Sequence, residues 1–311
     1  MNRIDDLLAK TSRTFALSIP LLPEPTRNEL AIAYLLFRIA DTLEDASDWP
    51  RQRQIEALER YVDLLDRPPG EDAAARAAEL GRRWERERPI AHEGYLELLA
   101  ETGTVWRELA GLSPAASEIV RRHTRRTTRG MAHYVARKQS GELRLDDLAD
   151  LREYCYVVAG IVGELSTELF LLDRPELAAS AGFLRQRARE FGEALQLVNI
   201  LKDSRFDAGE GRRYLPLGVE PGEVFSLARH DLEIAAGYTN RIQAADGPRG
   251  IVAFCALPVR LAWATLDVVE SRGPGAKISR RKVFSISRAL DADLDAGRPA
   301  VPARQPAAVS G

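Results

Sequence analysis

Residues 195–207 read Leu195-Gln196-Leu197-Val198-Asn199-Ile200-Leu201-Lys202-Asp203-Ser204-Arg205-Phe206-Asp207. Apolar residues at 195, 197, 198, 200 and 201 set against oxygen-bearing side chains at 199, 203 and 207 repeat with the period of a helix, not of a strand. Asn199, Asp203 and Asp207 then form one stripe of hard oxygen donors, the kind that holds Mg2+ between carboxylates and a substrate phosphate. An amide among hydrophobic neighbours usually has a specific partner. Gln196 lies about one turn earlier on the same helix.

The helical period extends outward from this stretch through nearly the whole chain, with Pro and Gly between the periodic blocks and not inside them. Helices are expected over about 26–46, with Ile32, Leu35, Leu36 and Ile39 as the apolar stripe, and over 49–65. Two or three shorter ones fit within 72–112. Ser113 should cap a helix that has Pro114 at its first position and runs to about 138. Ser140-Gly141 reads as a turn. Further helices fit 146–172, 175–207, 221–245, 250–272 and 279–296. The chain reads as all-α, with one domain over 1–296 and a disordered tail over 297–311.

A second oxygen cluster, Asp41-Thr42-Leu43-Glu44-Asp45, closes the first long helix. Asp41 and Asp45 share a face, Glu44 adds a third carboxylate, and all three sit at the helix end whose dipole disfavours anions. A solvated acidic helix end would look the same. Paired with the 199–207 stripe, however, it suggests two helices that face each other across a cavity. Cations held between them would neutralise a diphosphate leaving group.

The 311 residues are 45% hydrophobic, enough for a sizeable core, and the net charge of −2 gives no global field for nucleic acid. Cys155 and Cys255 sit in apolar helical contexts with no metal-ligand spacing, which reads as buried free thiols in a reducing cytoplasm. The N-terminal residues do not read as a signal peptide, and no apolar run of about 18 residues predicts a membrane-spanning helix.

Ser12-Arg13-Thr14-Phe15, Tyr34-x-x-x-Arg38-x-x-Asp41-Thr-Leu-Glu-Asp45, Tyr154-Cys-Tyr-Val-Val-Ala-Gly160-Ile-Val-Gly163, Gln196-x-x-Asn199-Ile-Leu-Lys202-Asp203-x-x-x-Asp207 and Gly211-Arg212-Arg213-Tyr214-Leu-Pro216 follow in that order. In this the chain resembles the squalene and phytoene synthase family of head-to-head prenyl synthases, from Ser12 to about Lys282. The resemblance implies an all-α, isoprenoid-synthase-type bundle around a deep apolar cavity. It implies Mg2+ ligation by Asp41, Asp45, Asn199, Asp203 and Asp207, and diphosphate contacts from Ser12, Arg13, Arg38, Lys202, Arg212 and Gln196, Arg presenting the matching fork. Tyr154 would steer the carbocation, Tyr34 would line the upper cavity, and the segment around Phe15 would be a flap that excludes water. Gly160 and Gly163 read as close helix packing.

The implied chemistry joins two prenyl diphosphates through a cyclopropyl intermediate, which is then opened. Reduction by NADPH gives squalene, and proton loss instead gives dehydrosqualene or phytoene. Phe254-Cys-Ala-Leu-Pro258, Ala262-x-Ala264-Thr265-Leu266 and Lys277-Ile278-Ser279-Arg280 resemble squalene synthases more than phytoene synthases. That favours farnesyl diphosphate as substrate and makes Lys277 and Arg280 candidates for the phosphates of NADPH, although a basic surface loop would read alike. No glycine-rich dinucleotide fingerprint occurs. Two departures stand out: Phe206 replaces a usual acid, and Lys202 replaces a common Arg, keeping charge but losing the fork. The chain carries no counterpart of the C-terminal anchor of eukaryotic squalene synthases, so a cytoplasmic protein is expected, in transient peripheral membrane contact for release of its apolar product and with no obligate protein partner. A dehydrosqualene or phytoene synthase, an enzyme that stops at the cyclopropyl stage, and a non-catalytic scaffold of the same fold are the competing readings.

Overall fold

A computed structural model describes residues 2–12, 15–139, 142–209 and 211–304, and 78% of the chain is helical. The helices among the described residues are α1 (Arg3–Thr11), α2 (Phe15–Ser18), α3 (Thr26–Glu44), α4 (Arg51–Leu65), α5 (Glu71–Arg86), α6 (Glu93–Ala100), α7 (Thr102–Ala110) and α8 (Pro114–Arg137). They continue with α9 (Leu148–Cys155), α10 (Ile161–Asp173), α11 (Ala181–Gly209), α12 (Pro221–Ala244), α13 (Arg249–Arg272) and α14 (Arg280–Asp295). The caps follow the sequence: Ser113 Oγ accepts from the Ala116 N–H, with Pro114 in the first turn, and Ser279 Oγ accepts from the Lys282 N–H. Arg13, Ser140-Gly141 and the tail beyond Arg304 lie outside the described residues.

Helix α3 buries the stripe expected of it, since Ile32, Leu35, Leu36 and Ile39 are fully enclosed. Each such side chain contributes about 1.5–3 kcal/mol relative to exposure. The helix packs on α1, α4, α7, α8 and α10, while α11 packs on α10, α12 and α13. Helix α10 therefore stands between the two oxygen-bearing helices. Its approach to α11 depends on glycine, because a Cβ at Gly163 would lie 1.9 Å from the Ala188 carbonyl oxygen; just ahead of α10, the Ala159 carbonyl oxygen would lie 2.1 Å from a Cβ at Gly192.

The structure corrects three expectations. The segment expected as one helix over 146–172 contains a π-helical turn, Tyr156–Gly160, directly after Tyr154. The Thr127 hydroxyl donates to the Val157 carbonyl at 2.9 Å, which gives this irregular turn a partner from α8. Two helical stretches, Leu148–Asp173 and Arg249–Arg272, are also long and apolar enough to cross a membrane. The residues of their apolar windows are 56% and 67% buried within the fold, so that apolarity is spent on the core.

The third correction concerns the tail. Residues 297–304 pack against α12 and α13, where sequence composition predicts disorder. Asn240 exchanges two hydrogen bonds with the Val301 backbone, at 2.8 and 2.9 Å. Gln243 accepts from the Ala300 N–H at 2.7 Å, and the Arg260 Nε donates to the Ala300 carbonyl at 2.6 Å. These side chains form a track for the extended chain, and they bury Ala300 and Val301. One further element escapes helical periodicity: Leu143–Arg144 pairs in parallel with Arg212–Arg213, which fixes the backbone of Arg212.

Candidate active site

A cavity of about 260 Å³ opens between α3, α10, α11 and α13. Leu30, Ala33, Phe37, Met131, Val162 and Phe254 supply apolar wall. Asp41 and Arg38 of α3 reach the same cavity as Gln196 and Asn199 of α11, together with Tyr34 and Tyr154. Pro258 also lines it. It has no N–H to bond the Phe254 carbonyl, an interruption of α13 located at the cavity wall.

On the α3 side, Arg38 is held from several directions. It donates to the Tyr34 hydroxyl at 3.2 and 3.1 Å, pairs with Asp41, and lies 5.5 Å from the Tyr34 ring centre and 5.4 Å from that of Tyr95. The Tyr34 hydroxyl donates in turn to the Thr11 carbonyl at 2.8 Å. Phe15 packs on Tyr34 and Phe254 with ring centres 5.4 and 6.4 Å apart, which places the segment proposed as a flap against the cavity wall. Ser12 Oγ accepts from the N–H groups of Phe15 and Ala16 at 2.9 and 3.3 Å. What Ser12 can still offer a phosphate is its proton, and it does not line the cavity.

The two acidic sites meet through one cation. Arg212 donates to Asp45 at 2.6 Å, and its guanidinium lies 3.8 Å from Asp207. Lys202 sits 3.0 Å from Asp203 and 3.3 Å from the Asn199 side-chain oxygen. Asn199 is exposed at the mouth, although its chain neighbours Val198 and Ile200 point into the core. Asp45, Asp203, Asp207, Lys202 and Arg212 stand outside the cavity lining.

Burial, reinforced by Asp41, pushes the Asp45 carboxyl up to about 6, although Arg212 and Lys138 pull the other way. Burial next to Asp45 and Asp41 pushes Glu44 well above the usual carboxylate range. Among the described residues no three acidic, His or Cys side chains form a ready-made metal site. Burial is the larger cause at both Asp45 and Glu44, and the donors are hard oxygens, so this set fits a divalent cation that comes in with an anionic ligand.

Tyr154 is 4% exposed, stacked on Tyr214 at 4.7 Å and edge-on to Tyr134 at 5.0 Å. Burial, then the Glu44 charge, holds its hydroxyl far above the usual range, so it stays neutral. Of these rings Tyr154 lines the cavity, and Tyr214 and Tyr134 hold it there as a π surface able to face positive charge. Tyr95, Tyr134 and Lys138 carry no spacing signal and were not expected here. Tyr214 lies inside a motif already quoted, where only its neighbour Arg212 had been given a role.

Lys277 lines a second cleft, of about 590 Å³, between α13, the start of α14 and the 297–304 track. It shares no lining residue with the first cavity. Trp263 and Lys282 line it as well, and the Trp263 Nε1–H is buried without a partner. Gly275 donates to the Lys202 carbonyl at 2.7 Å, tying this loop to α11. Arg280 is exposed and lines neither space.

An all-helical bundle that closes an apolar cavity between two oxygen-bearing helices is the isoprenoid synthase fold. The Squalene/phytoene synthase family profile matches residues 8–219, and the chain belongs to that family. It is similar to the squalene synthase of Schizosaccharomyces pombe, 29% identical over 70% of this chain and 44% of that protein. It is also similar to that of Yarrowia lipolytica, 27% identical over 96% of this chain and 68% of that protein. The chain spans 39%, 44% and 62% of the length of the first three curated relatives it matches. Among solved structures, a complex of TcSQS with the ligand E5700 superposes with a TM-score of 0.70 at 23% identity, covering 94% of this chain and 87% of that one. A dehydrosqualene synthase bound to a ligand gives 0.54 at 19%, covering 94% and 95%. At these identities the likeness of structure concerns the fold.

Proposed function

We propose that the chain is a prenyltransferase that condenses two farnesyl diphosphates head to head, through presqualene diphosphate, to squalene. The observation that carries this reading is the joint presence of Asp41 and Asn199 on the wall of one apolar cavity. A prenyl chain needs the apolar wall, and its diphosphate needs the oxygen-and-arginine rim.

Asp41, Asp45, Asn199, Asp203 and Asp207 are the residues that would hold Mg2+, which when bound neutralises diphosphate as its C–O bond breaks. Arg38 and Arg212 offer planar forks to the phosphate oxygens, Lys202 a point charge, and Gln196 an amide. Arg38 is fixed by Tyr34 and Tyr95, so its donors are oriented before substrate arrives. Tyr154, backed by the stacked Tyr214, faces developing positive charge, and Phe15 closes the apolar side against water. Lys277, with Lys282 and the unpaired Trp263 N–H, supports an anion in the second cleft, consistent with the phosphates of NADPH, which supplies hydride when bound. The exposure of Arg280 gives that residue no support in this role.

The test is product analysis of the purified protein with farnesyl diphosphate and Mg2+, with and without NADPH. Squalene that forms only with NADPH supports the reading. A conjugated triene formed without NADPH replaces it with a dehydrosqualene synthase.

A further inference from the structure

One wall of the cavity is carried by a helix that changes its winding part-way along. Tyr154 comes from the end of α9, Val158 and Ala159 from the π turn, and Val162 and Ser166 from α10, and all of them line the cavity. A π turn closes its hydrogen bonds one residue further along than an α-helix does. Returning Tyr156–Gly160 to α geometry would rotate Tyr154 by about 100° around the helix axis relative to α10, which swings its ring off the wall. The placement of Tyr154 against α10 therefore depends on whatever holds this turn.

Tyr156 opens the turn, and it does not line the cavity. Its side chain is partly exposed and faces three other groups of residues. From α8, Arg126 donates to the Tyr156 hydroxyl. That hydroxyl donates in turn to Glu164 of α10 at 3.2 Å, and Arg126 closes the triangle by pairing with Glu164 at 2.7 Å. From α11, the Arg189 guanidinium lies 4.3 Å from the Tyr156 ring centre, with that of Arg126 at 5.9 Å. Arg189 is itself held by the fully buried Glu193 and lies 3.6 Å from Glu153. The ring also packs over its own turn, since a Cβ at Gly160 would come within 2.8 Å of Tyr156 Cδ2. A surface ion network that served stability alone could sit anywhere along the helix. Here ties from α8, α10 and α11 converge on the residue at which the winding changes.

We infer that Tyr156 is a positioning residue: tied to α8, α10 and α11, it holds the π turn so that Tyr154, Val158 and Ala159 face one substrate. Its catalytic consequence rests on the prenyl diphosphate reading of the cavity, whereas its effect on the turn does not.

Two readouts on Tyr156→Ala and Tyr156→Phe test it, with Arg229→Met as control. Arg229 makes the same kinds of contact on α12, an ion pair with Glu270 and a ring contact of 6.0 Å with Phe225. The first readout is hydrogen exchange over residues 154–163, measured by mass spectrometry without substrate. It should accelerate in Tyr156→Ala and stay at the parent rate in Arg229→Met. The second is steady-state turnover of farnesyl diphosphate with product analysis. Tyr156→Ala should lower kcat by about ten- to hundredfold while KM stays within about twofold. A larger share of its turnover should end in farnesyl alcohols from capture of the cation by water, because Tyr154 no longer faces that cation. Tyr156→Phe keeps the ring between the two guanidinium groups and loses the hydroxyl ties, so it should fall between Tyr156→Ala and the parent in both readouts. Arg229→Met should match the parent in kcat and product ratio. Unchanged exchange in Tyr156→Ala, or a parent-like kcat and product ratio despite faster exchange, would overturn the inference. A parent that forms no product from farnesyl diphosphate would count against the reading of the cavity, and the exchange result would then decide the role of Tyr156 by itself.

Discussion

The Arg212 guanidinium donates to the Asp45 carboxylate at 2.6 Å, across 167 positions of sequence. Its other arm lies 3.8 Å from Asp207, so one arginine neighbours the acids of both α3 and α11. The short β pairing with Leu143–Arg144 fixes the backbone from which this side chain reaches. Removing Arg212 would leave Asp45 with Lys138 and Arg38 as its remaining favourable charges, and take away the cation it shares with Asp207. Arg212→Ala is expected to keep the helical circular dichroism spectrum and to lower kcat/KM of the proposed reaction by about 10²-fold. Arg212→Lys should fall between the two, because it keeps the charge and loses the fork. Steady-state diphosphate release checks both variants, and an Arg212→Ala rate equal to that of the parent would remove this residue from the site.

Glu29 offers a pH-dependent test of stability away from the site. It is 2% exposed on α3 and faces Asp173, which accepts from the Thr26 hydroxyl at 2.7 Å. Burial, then the Asp173 charge, pushes the Glu29 carboxyl from 4.5 up to about 8. The folded protein therefore keeps a proton that the unfolded chain gives up near 4.5. The stabilisation this confers is complete below about 4.5 and disappears as pH rises towards about 8. Glu29→Gln mimics the protonated form and should flatten that decline, gaining at least about 1 kcal/mol over the parent at the alkaline end. Urea denaturation across the range measures it.

Gly163 and Gly182 make a contrasting pair. A Cβ at Gly163 would lie 1.9 Å from the Ala188 carbonyl oxygen, whereas one at Gly182 meets nothing within 4 Å. Gly163→Ala should cost about 1–3 kcal/mol by forcing α10 off α11, with a Tm lower by several degrees. Gly182→Ala, near the start of α11, should be neutral or stabilising by up to about 1 kcal/mol. Thermal unfolding of the two variants separates close helix approach from a general effect of replacing glycine.

Much of this architecture was legible because helices write a local period. Thr26–Glu44, Pro114–Arg137 and Arg280–Asp295 follow from apolar spacing, Pro and capping Ser within a residue or two of the expected limits. Asp41, Asn199, Gln196, Arg38, Tyr34 and Tyr154 could be named because ordered motifs carry them, and they do come to one cavity. What stayed hidden depends on contacts distant in sequence. Tyr95 reaches Arg38 from another helix, and Tyr134 meets Tyr154 edge-on, with no spacing to announce either. The order of residues 297–304 depends on Asn240, Gln243 and Arg260, while composition alone argued for disorder. The π turn at Tyr156–Gly160 has no signature in hydrophobic period and is tied to Thr127 on another helix.

The central claim is that the oxygen donors of α3 and α11 act on one ligand. A double-mutant cycle on Asp41 and Asn199 tests it most directly, with Mg2+-dependent binding of a non-ionising thiolo analogue of farnesyl diphosphate as readout. Asp41→Ala and Asn199→Ala should each weaken binding by about tenfold or more, and the double variant should lose markedly less than the product of the two. Losses that multiply independently, or binding indifferent to either substitution or to Mg2+, would contradict a shared site.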